Sequence, residues 1–267
     1  MTVSTPTGTT RTVALRAGLT ITITEYGSPT DGAGALVLHG GAGPRSVAGL
    51  AAALTTYGYV AVPTHPGFDG TPRPEWADSV ADLATGYLDL LDELGLTGVT
   101  VYGSSIGGWI ATEMAVRDNH KAIEALVLLG GTGIEPKPPL EIGDPAKLGP
   151  VRTGELAFHN PALRLDPSTL TDAQRAVMAE NARVQAIYAP GSNDPKLRGR
   201  LHRVAVPVLV LGGEQDGIVP LDYERDLADS FPKAMFRAIP AAAHFPHIEQ
   251  PELVLGAIAE FRAGAGR

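Results

Sequence analysis

Five residues, Gly103-Ser104-Ser105-Ile106-Gly107, match the pattern G-x-S-x-G, whose central serine is presented at the apex of a sharp strand-to-helix turn. The register gives that place to Ser105 and leaves Ser104 as a spacer. The pattern has a steric reason: a nucleophile on so tight a turn sits in strained backbone, and the residues two before and two after must be small for strand and helix to approach. "VTVY" precedes the turn and an amphipathic segment follows it, which is the context the pattern needs.

A serine hydroxyl is a weak nucleophile near neutral pH, so it needs a base, and the base needs an orienting acid. "VPVLVLGGEQDGIVP" reads as a strand followed by a loop that offers Asp216, with Gly217 and Pro220 just after it and Glu214 as a competitor. "FRAIPAAAHFPHIEQPE" ends another strand near Ile239 and offers His244, with His247 as the alternative. His244 lies nearer the strand end, and the helix beginning around Pro251 restricts His247. The chain order Ser105, Asp216, His244 places all three after strands, where clefts form in open α/β sheets.

Acyl transfer also requires donors for a developing oxyanion. "LVLHGGAGP" follows an apolar strand and supplies Gly40 and Gly41, where backbone can approach a substrate unobstructed. The amides of Gly41 and Ile106 are the candidate donors, the latter at a helix N-terminus. A phosphate cradle is the rival reading of such a loop, but neither G-x-G-x-x-G nor G-x-x-x-x-G-K-[ST] is present.

The elements that must position these residues alternate. After a polar N-terminal tail, "RTVALRAGLTITITEYG" predicts an antiparallel strand pair at a sheet edge. Wholly apolar runs at Ala35–Leu38, Tyr59–Val62, Val99–Tyr102, Ala125–Leu129, Val206–Leu211 and Met235–Ile239 predict strands buried on both faces. Helices are expected from Ser79, a candidate cap, through Val80, Leu83, Tyr87, Leu91 and Leu94, and at Ile106–Arg117, about Leu221–Ser230 and about Glu252–Phe261. Such alternation implies a mostly parallel sheet covered by helices on both faces.

Residues 133–203 break the rhythm. They are rich in Pro and Gly and then give one helix, "TDAQRAVMAENARVQAIYA", opened by a Thr171/Gln174 capping box. The expected division is a core of residues 1–132 and 204–267 with a helical cap, 133–203, inserted after the sixth strand. The cap carries ten Lys and Arg against eight Asp and Glu, so the rest of the chain is near −10 within a total of −8. Solvated charges account for this; a preference for anionic substrates is the sharper reading.

The 267 residues, 44% of them hydrophobic, suffice for a large core. The acidic balance argues against nucleic acid or anionic membrane as a partner. There is no cysteine, so disulfides, thiolate metal sites and a cysteine nucleophile are excluded. Without a signal-like or spanning apolar run, a cytoplasmic protein with a small-molecule substrate is expected.

On these motifs the chain resembles the α/β-hydrolase superfamily over nearly its whole length. "PTHPGFDGT" is similar to the Pro-Gly-Phe-Gly loop of that family, with Asp69 where Gly is frequent, and "HFPHIEQPE" resembles its ending and favours His244. The resemblance implies an α/β-hydrolase fold, a lid between Leu129 and Val206, and a serine hydrolase acting on a carboxylic ester, a lactone or the C–C bond of a diketone-like compound. It requires neither metal nor organic cofactor. Leu156, Phe158, Met178, Ile187 and Tyr188 of the lid, with Gly40, are candidates for the substrate pocket, although such residues also pack lids onto cores. Cofactor-free perhydrolysis or haloperoxidation, lyase chemistry, and a ligand-binding receptor on the same scaffold stay open, as does the choice between monomer and homodimer.

Overall fold

The computed structural model describes residues 8–28 and 34–265; the polar tail expected at the N-terminus lies outside them except for its last residues. Ten strands and eight helices are used below. The strands are β1 (Thr9–Ala14), β2 (Thr20–Tyr26), β3 (Gly34–Leu38), β4 (Tyr59–Thr64), β5 (Val99–Ser104), β6 (Ile123–Leu129), β7 (Gly133–Ile134), β8 (Asn193–Asp194), β9 (Val208–Gly213) and β10 (Ala234–Ile239). The helices are α1 (Ala48–Leu54), α2 (Val80–Glu93), α3 (Ile106–Arg117), α4 (Pro145–Ala157), α5 (Asp172–Tyr188), α6 (Leu221–Asp229), α7 (Pro246–Glu249) and α8 (Pro251–Ala265).

Eight strands form one sheet in the order β1-β2-β4-β3-β5-β6-β9-β10. β2 is antiparallel to both β1 and β4, and every other pair is parallel. Side chains alternate across this sheet as strand geometry requires. Leu36, Val101, Leu128 and Val210 join one core with α2, α3 and α6, while Val37, Tyr102, Val127 and Leu209 join a second core with α1 and α8. The apolar runs have this cause: a strand covered on both faces has no polar side to show.

Register carries the fold into the site. Leu38 pairs with Gly103, Gly103 with Leu128, Leu129 with Leu211, and Gly213 with Ile239. The carboxyl ends of β3, β5, β6, β9 and β10 therefore reach one rim, and the loops after them leave on the same side.

Two strands differ from expectation. β9 begins at Val208 rather than Val206, because Pro207, lacking an N–H, stands at its entry with only its carbonyl bonded, to the Leu126 amide at 3.0 Å. β10 is not buried on both faces; Met235 is 51% exposed, since this edge strand has β9 alone as neighbour. Between β6 and β9 the chain builds α5 with the anticipated Thr171/Gln174 capping box, and pairs β7 with β8. It also builds α4, which the sequence pattern does not announce. Gly149, at φ 74°, and Pro150 break that helix's periodicity and hide it.

Helix α2 is closed at its start by a reciprocal box: the Asp82 amide donates to Ser79 Oγ (3.2 Å) and the Ser79 amide to Asp82 Oδ2 (3.1 Å). Ser79→Ala removes an acceptor for an otherwise orphaned helix donor and should lower stability by about 1 kcal/mol. Urea unfolding tests this as a lower midpoint at unchanged slope.

Candidate active site

Ser105 stands between β5 and α3 at φ 55°, ψ −121°, a conformation disfavoured for any residue with a side chain. Neighbouring backbone over-determines it: the Ser105 amide donates to Leu129 O (2.9 Å) and its carbonyl accepts from Gly108 N (2.9 Å). The flanking glycines are sterically required. A Cβ on Gly103 would run into the Gly107 carbonyl, and one on Gly107 into the carbonyls of Leu38 and His39. The two serines part here: Ser104 is buried in β5 with its hydroxyl unpartnered, whereas Ser105 is only half-buried at the apex.

Asp216 lies in the loop after β9. Its Oδ1 accepts from the amides of Ile218 (2.8 Å) and Val219 (2.9 Å), and its Oδ2 from His244 Nδ1 (2.8 Å). Because a carboxylate only accepts, the proton of the neutral imidazole sits on Nδ1, which leaves Nε2 as the basic atom. Both side chains are buried. The competitors fall elsewhere. Glu214 is exposed, and His247 donates from Nε2 to the Ser46 carbonyl (3.0 Å), buried among apolar groups that push its pKa down to about 4.

Helix α4 holds the acid and base loops together. Its last two carbonyls accept from them: Leu156 O from the Gly217 amide (3.1 Å) and Ala157 O from the His244 amide (3.1 Å). The Leu156 side chain also fills the space at Gly217, and the Phe158 ring lies 5.0 Å from that of Phe245. Of the other candidate lining residues, Tyr188 is buried with its hydroxyl donating to Pro66 O (2.9 Å), Ile187 is half-buried and Met178 is 41% exposed.

The glycine loop after β3 meets the apex directly: a Cβ on Gly40 would stand 2.9 Å from Ser105 Cβ. Gly41 faces the carboxamide of Gln185 on α5, a polar neighbour outside the apolar set that the sequence offers. Two more residues missed by sequence reasoning support this loop. His39 donates from Nδ1 to Gly40 O (2.7 Å) and accepts from the His65 amide at Nε2 (3.1 Å). His65 donates from Nε2 to His39 O (2.8 Å) and accepts from the Tyr87 hydroxyl at Nδ1 (2.5 Å). Each ring both donates and accepts, so each is neutral. Their signal was a histidine at the end of each of two buried strands.

Asp69, the departure from the Pro-Gly-Phe-Gly pattern, also finds its reason. It adopts φ 50°, and Asn181 of α5 clasps it, accepting from its amide (2.8 Å) and donating to its Oδ1 (2.8 Å). A residue in place of Gly in the left-handed region is held by a partner 112 positions away.

A parallel sheet with a serine at a strained strand-to-helix apex, and an Asp–His pair on the same rim, defines a class of α/β enzyme scaffold. The model of the Alpha/beta hydrolase family matches residues 35–257, and the chain belongs to that family. It is 29% identical to a pimeloyl-[acyl-carrier protein] methyl ester esterase of Aromatoleum aromaticum, over 81% of this chain and 93% of that one. It is 27% identical to a 2-hydroxymuconate semialdehyde hydrolase of Pseudomonas putida, over 94% and 93%. The solved esterase of Exiguobacterium antarcticum superposes with a TM-score of 0.76 at 17% identity, over 94% of this chain and 98% of that one. Among the described residues no helix is long and apolar enough to cross a membrane.

The buried histidines make stability depend on pH. Burial lowers His39 and His247 from 6.5 to about 4, and His65 well below 6.5. Between those values the unfolded chain binds more protons than the native one, so stability falls as the pH drops from 6.5 toward 4. The Tm should decline over that range, and less steeply in His247→Gln; equal slopes would exclude His247 as a contributor.

Proposed function

We propose that the protein is a serine hydrolase that cleaves a small to medium carboxylic ester or lactone through an acyl-enzyme on Ser105, His244 and Asp216. The observation that carries this reading is the buried Asp216–His244 pair on the rim where Ser105 stands at its strained apex. His244 Nε2 takes the Ser105 proton as Oγ bonds to the carbonyl carbon, and the Gly41 and Ile106 amides stabilise the oxyanion. The tetrahedral adduct collapses by breaking the bond to the alkoxide, which leaves with the proton from His244. Water then gives a proton to His244 and attacks the acyl carbon, and collapse returns the proton to Ser105. Asp216 keeps the imidazole oriented and offsets its charge throughout.

Cleavage of a C–C bond is the second reading, favoured by the likeness to a 2-hydroxymuconate semialdehyde hydrolase across nearly the whole of both chains. Ser105→Ala should reduce ester turnover by about a thousandfold or more. A fluorophosphonate should add its mass to the peptide carrying Ser105 and leave the variant unlabelled. An adduct elsewhere, or near wild-type hydrolysis by Ser105→Ala, overturns the mechanism; product that requires added peroxide would point to perhydrolysis, and binding without turnover to a receptor.

Residues 133–203 serve in this proposal as the lid over the site. The support is α5, whose Asn181 grips Asp69 while Gln185 reaches Gly41. Asn181→Ala removes two hydrogen bonds, one to a carboxylate, so the closed placement of α5 should weaken by about 1–3 kcal/mol. The expected reading is a KM several-fold higher for bulky esters with kcat less affected; unchanged KM would separate α5 from substrate binding.

A further inference from the structure

One buried titratable residue has no part in that mechanism. Glu224, on α6, is 0% exposed, and neither carboxyl oxygen has a hydrogen-bonded partner. Its carboxyl occupies the space beside Gly212 of β9, where any Cβ would collide with Oε2 and stand 2.8 Å from Cδ. The amides of Gly130 and Gly131 approach it without forming a well-aligned bond, the Gly130 amide being already donated to Leu211 O (3.1 Å).

The turn that Glu224 backs touches the other proposed catalytic residues. The Thr132 amide donates to the Ser105 carbonyl (3.4 Å), and Gly131 Cα lies 3.0 Å from where a Gly108 Cβ would stand in the first turn of α3. Gly130 lies against His244: a Cβ there would stand 3.0 Å from Nδ1 and 3.1 Å from Cε1. The charged group acting on Glu224 is Asp216, of like sign, in the loop after β9; Tyr223 is its ionisable neighbour on α6. Residues 130–132 supply no side-chain charge. A sealed carboxyl beside a carboxylate, with neither oxygen hydrogen-bonded among the described residues, holds its proton.

We infer that Glu224 is a positioning residue of the hydrolytic site: as a neutral carboxyl it props the Gly130–Thr132 turn against Ser105 and His244. The functional part rests on the hydrolase reading above; the protonation does not. Desolvation and Asp216 both raise its pKa well above the usual carboxylate value. The native state therefore keeps a proton that the unfolded chain releases, so stability falls as pH rises above the unfolded value near 4.5.

Glu224→Gln keeps the shape without the titration. Glu224→Ala, which removes the prop, should lower kcat at least about tenfold with KM moving less, and Glu224→Gln should recover most of that loss. The Tm advantage of Glu224→Gln over the wild type should grow as pH rises from 4.5. An unchanged kcat in Glu224→Ala, or a Glu224→Gln as slow as Glu224→Ala, overturns the positioning role. If Glu224→Gln does not fold, carbon-13 NMR of the wild type labelled at glutamate carboxyls decides: one resonance that stays protonated above the ordinary glutamate range supports the inference, and ionisation of every glutamate within that range overturns it. Failure of Ser105→Ala to abolish turnover would sink the hydrolase reading while leaving that resonance in place.

Discussion

The site depends on how closely backbone approaches backbone at Ser105. Strand β5 and helix α3 meet there at an angle that leaves no room for a Cβ at Gly103 or Gly107, with Leu38 and His39 of the neighbouring strand closing the remaining space. The consequence is a serine at φ 55°, a conformation costing on the order of 1–3 kcal/mol. Hydrogen bonds from its own backbone to Leu129 and Gly108 hold it there. Relaxing the turn would move the hydroxyl and the first α3 amide together, because they belong to the same two residues.

Around that apex, polar groups are organised by exclusion of water. His39 and His65 have their donors and acceptors matched to one another and to the glycine loop, so they fix it without carrying charge. Asp216 is the contrasting case: two backbone amides and His244 surround a carboxylate and satisfy it. Glu224 has no such partners and stays neutral a short distance away. Two acids in one buried neighbourhood are compatible because only one of them is solvated by the protein.

Much of the scaffold was legible because its signals are local. A strand buried on both faces is apolar along its length, the cap at Ser79 and the capping box at Thr171 lie within one helical turn, and the G-x-S-x-G spacing is itself the steric requirement. Helix α4 escaped because Gly149 and Pro150 interrupt its period. Its contribution, two terminal carbonyls tying the Asp216 and His244 loops, belongs to the main chain and leaves no mark in residue type. The Asn181–Asp69 clasp escaped for a different reason, since its halves are 112 residues apart and each alone is an ordinary polar residue.

The sequence by itself determined which residues could do chemistry and in what order they follow the strands, since short-range sterics and periodicity are written in neighbouring residues. Tertiary structure decided which polar groups are sealed. Asp216 rather than Glu214 meets His244, Asp69 tolerates a glycine's conformation, and Glu224 is a neutral acid rather than one more charge on an amphipathic helix. Burial and partnership depend on what the rest of the chain brings against a side chain. That sum over distant residues is fixed only when the sheet's register has set the carboxyl ends of β3, β5, β6, β9 and β10 on the same rim.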